Sequence, residues 1–253
     1  MRLNPQTVQE NFSRAAARYD AHASLQKSWR QRVLAHGIAL FADKATLLDV
    51  GCGTGAFTAE ARLVHPGWNI TGLDVAPGMC RVAAQQGNVI EADATSMPLG
   101  DASYDGVVSS LCLQWVADLP KALGEMYRVL KPGAYAVVMT LGSETLQELR
   151  VLAPSLRLLP MQSVEQYRAL AMQAGFEIVA IDAPVERYAY PSVSALLRSF
   201  RQIGAQAAFE NPAQRIKPSE YRALADSYRS KHTVGDGVAA SWQPLLLILR
   251  KPL

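Results

Sequence analysis

Asp49-Val50-Gly51-Cys52-Gly53-Thr54-Gly55 sets three glycines two apart behind an acid. A second acid, Asp74, stands roughly 20 residues farther on, where a ribose-binding carboxylate follows the glycine loop of a nucleotide fold. A third, Asp93, closes another apolar run. Residues of these types can hold a nucleotide-like ligand. Side-chain-free backbone turns sharply and lets a ligand approach, and it presents N–H groups where a helix begins. The plain structural reading is a tight strand-to-helix turn, with Asp49 and Asp93 as turn or helix caps.

These residues need elements to place them. Ala45–Val50 reads as a first strand, and Phe57, Ala61 and Val64 mark a helix near 56–65. Asn69–Val75 is the second strand, and Pro77 opens a helix running to about Gln86. Asn88–Asp93 and Tyr104–Leu111 are the third and fourth strands. A helix over 119–130 stops at Lys131-Pro132-Gly133, before a fifth strand at Tyr135–Leu141. Strands alternating with helices imply an α/β fold, a parallel sheet covered on both faces with right-handed crossovers. Ligands of such sheets lie at the carboxyl ends of the strands. Four ends carry usable groups: Asp49 to Gly55, Asp74-Val75, Asp93-Ala94, and Ser110 to Trp115.

The spacing is G-x-G-x-G rather than the G-x-G-x-x-G of nicotinamide enzymes, and here the sequence resembles the class I S-adenosylmethionine-dependent methyltransferases. The resemblance implies a Rossmann-like, doubly wound, mostly parallel seven-stranded sheet with S-adenosylmethionine as cofactor. On that reading Asp74 takes the ribose diol. Asp93 takes the adenine amine, and the Ala94 N–H a ring nitrogen. Gly51, Gly53 and Gly55 take the sulfonium and amino-acid end, with Asp49 holding loop and amine. Val75 and Ser110 complete the cofactor set. Such enzymes mainly align donor and acceptor, which can supply roughly 7–11 kcal/mol. No dedicated base stands out, and no Asn-Pro-Pro-Tyr or Asp-Pro-Pro-Tyr follows the fourth strand. That suits an acceptor already anionic, such as a carboxylate with a pKa of about 4.

Composition bounds the rest. A chain of 253 residues, 49% hydrophobic, fits one α/β domain with additions, expected to span 1–253. No apolar run approaches the ~20 residues that span a membrane. Met1-Arg2-Leu3-Asn4-Pro5 does not read as a signal peptide, so a cytoplasmic location is expected. Cys52, Cys80 and Cys112 read as buried thiols of a reducing compartment. Four scattered histidines show no metal spacing, and no metal is expected. Charge is uneven: residues 1–36 carry a net +4, 37–195 a net −6, and 196–231 again +4. An acidic body with two basic additions suits steering of an anionic partner. Neither basic stretch has the interleaved aromatics of a nucleic-acid surface.

Phe12, Ala16 and Tyr19, then Leu25, Trp29 and Val33, recur at helical spacing, so 1–40 is expected to be a helical arm over the pocket. The core is expected at 41–191. Its later part reads as helices over 143–175 and strands at Phe176–Ile181 and Val185–Tyr190. A helical cap at 192–240, with helices Ser192–Gly204 and Ser219–Lys231, precedes a last strand within 241–253, at Trp242–Leu249.

A narrower resemblance follows. Phe12-Ser13-Arg14-Ala15-Ala16-Ala17-Arg18-Tyr19-Asp20 and Leu113-Gln114-Trp115-Val116-Ala117-Asp118-Leu119 are similar to segments of the malonyl-acyl-carrier-protein O-methyltransferase family of biotin synthesis. So are Thr145-Leu146-Gln147-Glu148-Leu149 and Leu196 to Ala205. The resemblance implies methyl transfer to the free carboxylate of a malonyl thioester on acyl carrier protein, or on coenzyme A, with neither nucleic acid nor membrane as partner. It implies that Tyr19 closes on cofactor and substrate, that Gln114 and Trp115 shape the acceptor pocket, and that Arg198 and Arg201 contact carrier protein or substrate carboxylate. Another small-molecule acceptor, such as a quinone precursor, or a non-catalytic cofactor-binding protein also fits the same core.

Overall fold

A computed structural model describes residues 4–156, 158–208 and 217–253. Arg215 of the second basic stretch lies outside these, as do Met1 to Leu3. The arm is α1 (Pro5–Ala15), a 3-10 turn, α2 (Tyr19–His22) and α3 (Ser24–Leu40). The core runs β1 (Thr46–Val50), α4 (Ala56–Val64), β2 (Asn69–Asp74), α5 (Pro77–Ala83), β3 (Asn88–Glu91), β4 (Tyr104–Ser110), α6 (Leu119–Val129) and β5 (Leu130–Leu141). There follow α7 (Gln147–Leu152), α8 (Val164–Gln173), β6 (Glu177–Asp182), β7 (Glu186–Tyr190), α9 (Val193–Gln202) and α10 (Pro218–His232). The chain ends with β8 (Thr233–Val234), β9 (Gly237–Trp242) and β10 (Pro244–Arg250).

Local signals set these bounds. Asn4 caps α1 through Gln6 and Thr7 N–H groups, Asp118 caps α6, and Ser163 with Gln166 forms a capping box on α8. Seven strands then order as β3-β2-β1-β4-β5-β10-β6. The β1–β2, β1–β4, β2–β3 and β4–β5 pairs are parallel, and β10 runs antiparallel to β5 and β6. Strand order reverses between β1 and β4, which opens a crevice at their carboxyl ends. One apolar layer holds Leu48, Leu123 and Met126. The other joins Phe57 and Met139 to Trp29, Phe200 and Trp242. No described helix is long and apolar enough to cross a membrane.

Two strands depart from the sequence expectation. β7 leaves the main sheet and joins a three-stranded sheet of order β7-β9-β8. The end of the expected helical cap, from Gly237 to Ala240, is therefore strand, which β9 continues to Trp242, and the last strand of the main sheet starts only at Pro244. The cause is tertiary. β9 is buried on both faces, with Trp242 stacked on Phe200 at 5.7 Å and tilted on Trp29 at 5.7 Å. Its sequence therefore shows none of the alternation that marks a half-exposed strand. The arm anchors this side sheet, because Arg32 pairs with Glu186 at 2.6 Å and Trp29 Nε1 donates to the same carboxylate.

Candidate active site

The glycine loop turns where β1 meets α4. Gly51, Gly53 and Gly55 all adopt left-handed φ, at 73°, 55° and 78°, a region that costs other residues roughly 1–2 kcal/mol. The Gly51 and Cys52 N–H groups donate to Leu73 O, tying the loop to β2. Asp74 then reaches across: Oδ2 accepts from Gly53 N at 2.9 Å and Oδ1 from Ala76 N at 2.8 Å. Burial raises the Asp74 carboxyl above its usual range, and these backbone donors partly offset the rise.

A cavity of about 340 Å³ opens at this point. Of the residues singled out in the sequence, Gly51, Gly53, Asp74, Val75, Asp93, Ala94 and Ser110 line it, as do Tyr19 and Trp115. Asp93 Oδ1 accepts from Thr95 N at 2.7 Å, so this acid caps a turn as well as facing the cavity. Gly55 and Asp49 do not line it. Gly55 packs on Ala83 of α5 and serves the helix start. Asp49 lies beneath the loop, only 2% exposed, and its Oδ2 has no hydrogen-bond partner. Burial, with Asp74 nearby adding repulsion, pushes its carboxyl up to about 7.

The arm roofs the cavity. Thr54 donates to Asp20 Oδ1 at 3.0 Å, Gln9 Nε2 to Val75 O at 2.8 Å, and Gly78 N to Ser13 Oγ at 3.2 Å. Phe12 meets the Trp115 ring edge-on at 5.4 Å. Tyr19 makes no side-chain hydrogen bond within the described residues, and burial pushes its phenol well above the ordinary range, so it stays neutral. Such a group can donate a hydrogen bond but is not a base. Tyr19→Phe is expected to keep the melting temperature and lower kcat/KM about tenfold, the value of one hydrogen bond. Unchanged kcat/KM rejects any role for the hydroxyl.

A smaller cavity of about 40 Å³ adjoins the first. Phe12, Tyr19, Leu111 and Trp115 line both. Gln114 lines only the smaller one, and its amide is locked: Nε2 donates to Leu111 O at 2.9 Å and Oε1 accepts from Thr140 at 3.0 Å. That bond steadies Leu111, a non-glycine residue at φ 59°. Arg198 and Arg201 line neither cavity. Both are exposed on α9, whose inner face is Val193, Leu196 and Phe200. The rotation of the helix turns both away from the two cavities, so of the two expected contacts their exposure suits the carrier protein rather than the substrate carboxylate.

Phe12, Leu111 and Arg150 line the site without having been singled out as site residues. Helical spacing marked Phe12 only as packing, and no local signal reveals a left-handed Leu111. Arg150 is fixed by carbonyls five and nine positions away, but the cavity it lines is completed by residues distant in sequence, such as Phe200 and Trp242.

The geometry fits S-adenosylmethionine. The Asp49 carboxyl buried behind the loop keeps one oxygen without a partner, a Cβ on Gly53 would meet no protein atom within 4 Å, and Asp74 and Asp93 line the cavity. Comparisons with known proteins agree. Residues 48–138 match the family model described as "Methyltransferase domain". The chain is 38% identical over 210 residues to malonyl-[acyl-carrier protein] O-methyltransferase of Serratia marcescens, covering 80% of each. It is 32% identical over 266 residues to the biotin biosynthesis bifunctional protein BioHC of Teredinibacter turnerae, where it spans 47% of that longer protein. In fold it is similar to a putative methyltransferase from Bacillus halodurans, with a TM-score of 0.64 at 18% identity, covering 87% of this chain and 99% of that one. With its donor cavity, its cofactor S-adenosylmethionine and this identity over four-fifths of a relative, the chain belongs to the malonyl-[acyl-carrier protein] O-methyltransferase family.

Proposed function

We propose that this enzyme methylates the free carboxylate of a malonyl thioester carried on acyl carrier protein, giving the ester that primes pimeloyl synthesis for biotin. The observation that carries the reading is the second cavity, which shares Phe12, Tyr19, Leu111 and Trp115 with the donor cavity. Bound in the donor cavity, S-adenosylmethionine would supply an electrophilic methyl group to a carboxylate oxygen, the carbon–sulfur electron pair returning to sulfur, and no proton moves. The protein's part is alignment and exclusion of water. Asp49, the glycine loop, Asp74 and Asp93 hold the donor, and the arm closes above it. Gln114 and Trp115 fix the wall against which the acceptor rests. A neutral Tyr19 suits a reaction that needs no base.

The test is mass spectrometry of malonyl-, succinyl- and acetyl-carrier protein incubated with S-adenosylmethionine. A methyl ester on the malonyl form alone is expected; equal methylation of free small acids rejects the reading. Arg198 and Arg201 lie on the outer face of α9 and suit the acidic carrier protein. Reversing both to Glu is expected to raise KM for malonyl-carrier protein about tenfold, more at low salt, with malonyl-pantetheine turnover unchanged. Equal KM values for wild type and variant reject the docking role.

A further inference from the structure

We infer that Arg150 is the carboxylate receptor of the acceptor cavity and the residue that makes it select an acidic acyl group over a neutral one. The inference deepens the proposed function and rests on it. Arg150 lies on α7, between the αL residue Leu146 and Leu152. Its side chain turns inward: Nε donates to Thr145 O at 3.2 Å and Nη2 to Leu159 O at 2.7 Å. Both acceptors are neutral carbonyls. Nη1 bonds to none of the described residues, and no described carboxylate pairs with the guanidinium. Among the described residues around this cavity it is the one charged group, lining it together with Leu141, Leu146, Met161, Phe200 and Trp242. Burial without a counter-ion lowers its pKa from the ordinary range, which still leaves it charged.

Other arginines of the chain show the contrast. Arg30 binds both oxygens of Glu60, Arg32 pairs with Glu186, and Arg128 with Glu125 and Asp101. Arg150 is held in place by two carbonyls, its Nη1 has no partner among the described residues, and the cavity it lines is mostly apolar. A planar fork with free donors matches a carboxylate, and an anion there would relieve the cost of the half-buried, unpaired cation. The cavity borders the donor cavity at Tyr19 and Trp115, so an anion on Arg150 lies within the acceptor side of the site. Esterification removes the negative charge, so the guanidinium that favours the substrate stops favouring the product. The same residue would thereby promote release of the ester.

Calorimetric binding of malonyl-pantetheine and acetyl-pantetheine to protein loaded with S-adenosylhomocysteine tests this, alongside ester formation by the wild type. Wild type is expected to prefer the malonyl compound by about 10- to 100-fold, the value of a charged hydrogen-bonded pair. Arg150→Gln is expected to bring the ratio within about threefold, with acetyl-pantetheine and S-adenosylhomocysteine binding unchanged. A lowered melting temperature with an intact malonyl preference assigns Arg150 to the α7 framework alone and overturns the proposal. If Arg150→Gln does not fold, Arg150→Lys decides: a fall in the ratio of about tenfold supports the role, because an ammonium lacks the fork, and an unchanged ratio overturns it. Loss of the preference in a protein whose wild type makes no ester sinks the proposed reaction but keeps the receptor. A wild type without malonyl preference sinks both.

Discussion

Asp49→Asn is expected to weaken S-adenosylmethionine binding by roughly 10- to 100-fold while leaving the ligand-free protein as stable as wild type or more so at pH 8. The signs follow from the carboxyl's position. Its pKa rises from 3.8 to about 7 in the fold, because it is buried beneath the loop with one oxygen unpartnered. Between those values the folded protein holds a proton that the unfolded chain has released. This group's contribution to stability is therefore greatest below its unfolded value, shrinks as pH rises through that window, and is level above about 7. The cationic donor reverses the preference by favouring the ionised form. Wild-type affinity should climb up to about tenfold per pH unit below the raised pKa and flatten above it. Calorimetry in buffers of different ionisation enthalpy would detect the released proton. In the Asn variant both the pH slope and the proton release should vanish. A wild-type affinity constant between about pH 5 and 8 rejects the assignment of Asp49 to the cationic end of the cofactor.

Gly51→Ala is the second large effect. A Cβ there would lie 2.3 Å from Cys112 Cβ and 2.4 Å from its Sγ, at a φ of 73°. The left-handed backbone costs roughly 1–2 kcal/mol, and crowding of this kind typically adds about 1–3 kcal/mol. The clash sits between the β1–α4 loop and the segment after β4, the two sides of the crevice. Melting temperature should fall by about 5 °C or more, and S-adenosylmethionine affinity by more than about 100-fold, as the loop shifts. Gly53→Ala separates the two effects. Its Cβ meets no protein atom within 4 Å, so only the backbone cost reaches stability, while the methyl projects toward the space for the cofactor. Pairing Gly51→Ala with Cys112→Gly should restore part of the lost stability, measured as a coupling energy. Gly51→Ala with wild-type melting and affinity would refute this account of the crevice.

The donor half of the site was legible in the chain because its signals are local. Three glycines two apart, an acid behind them and another one strand later require only the strand–turn–helix order that hydrophobic spacing already fixes. The structure brings Gly51, Gly53, Asp74, Val75, Asp93, Ala94 and Ser110 to the lining of one cavity. Asp49 and Gly55 lie off that lining: Gly55 packs on α5, and Asp49 is buried behind the loop, from where it would act on the cofactor's cationic end. The acceptor half was far less legible. Tyr19 and Trp115 come together only when the arm lies over the sheet, through bonds such as Thr54 to Asp20, 34 positions apart.

By itself, then, the sequence determined the α/β alternation, the glycine turn and the acids that close each strand. These depend on backbone conformation and spacing within about 20 residues. Tertiary structure alone decided that β7 pairs with β9 outside the main sheet, that Arg198 and Arg201 face solvent, and that Arg150 is turned into an apolar cavity. Which face of a helix is buried, and which strand a doubly covered strand joins, depends on the surface that packs against it. That surface is assembled from residues far apart in the chain, so its effect could not be read from spacing along the sequence.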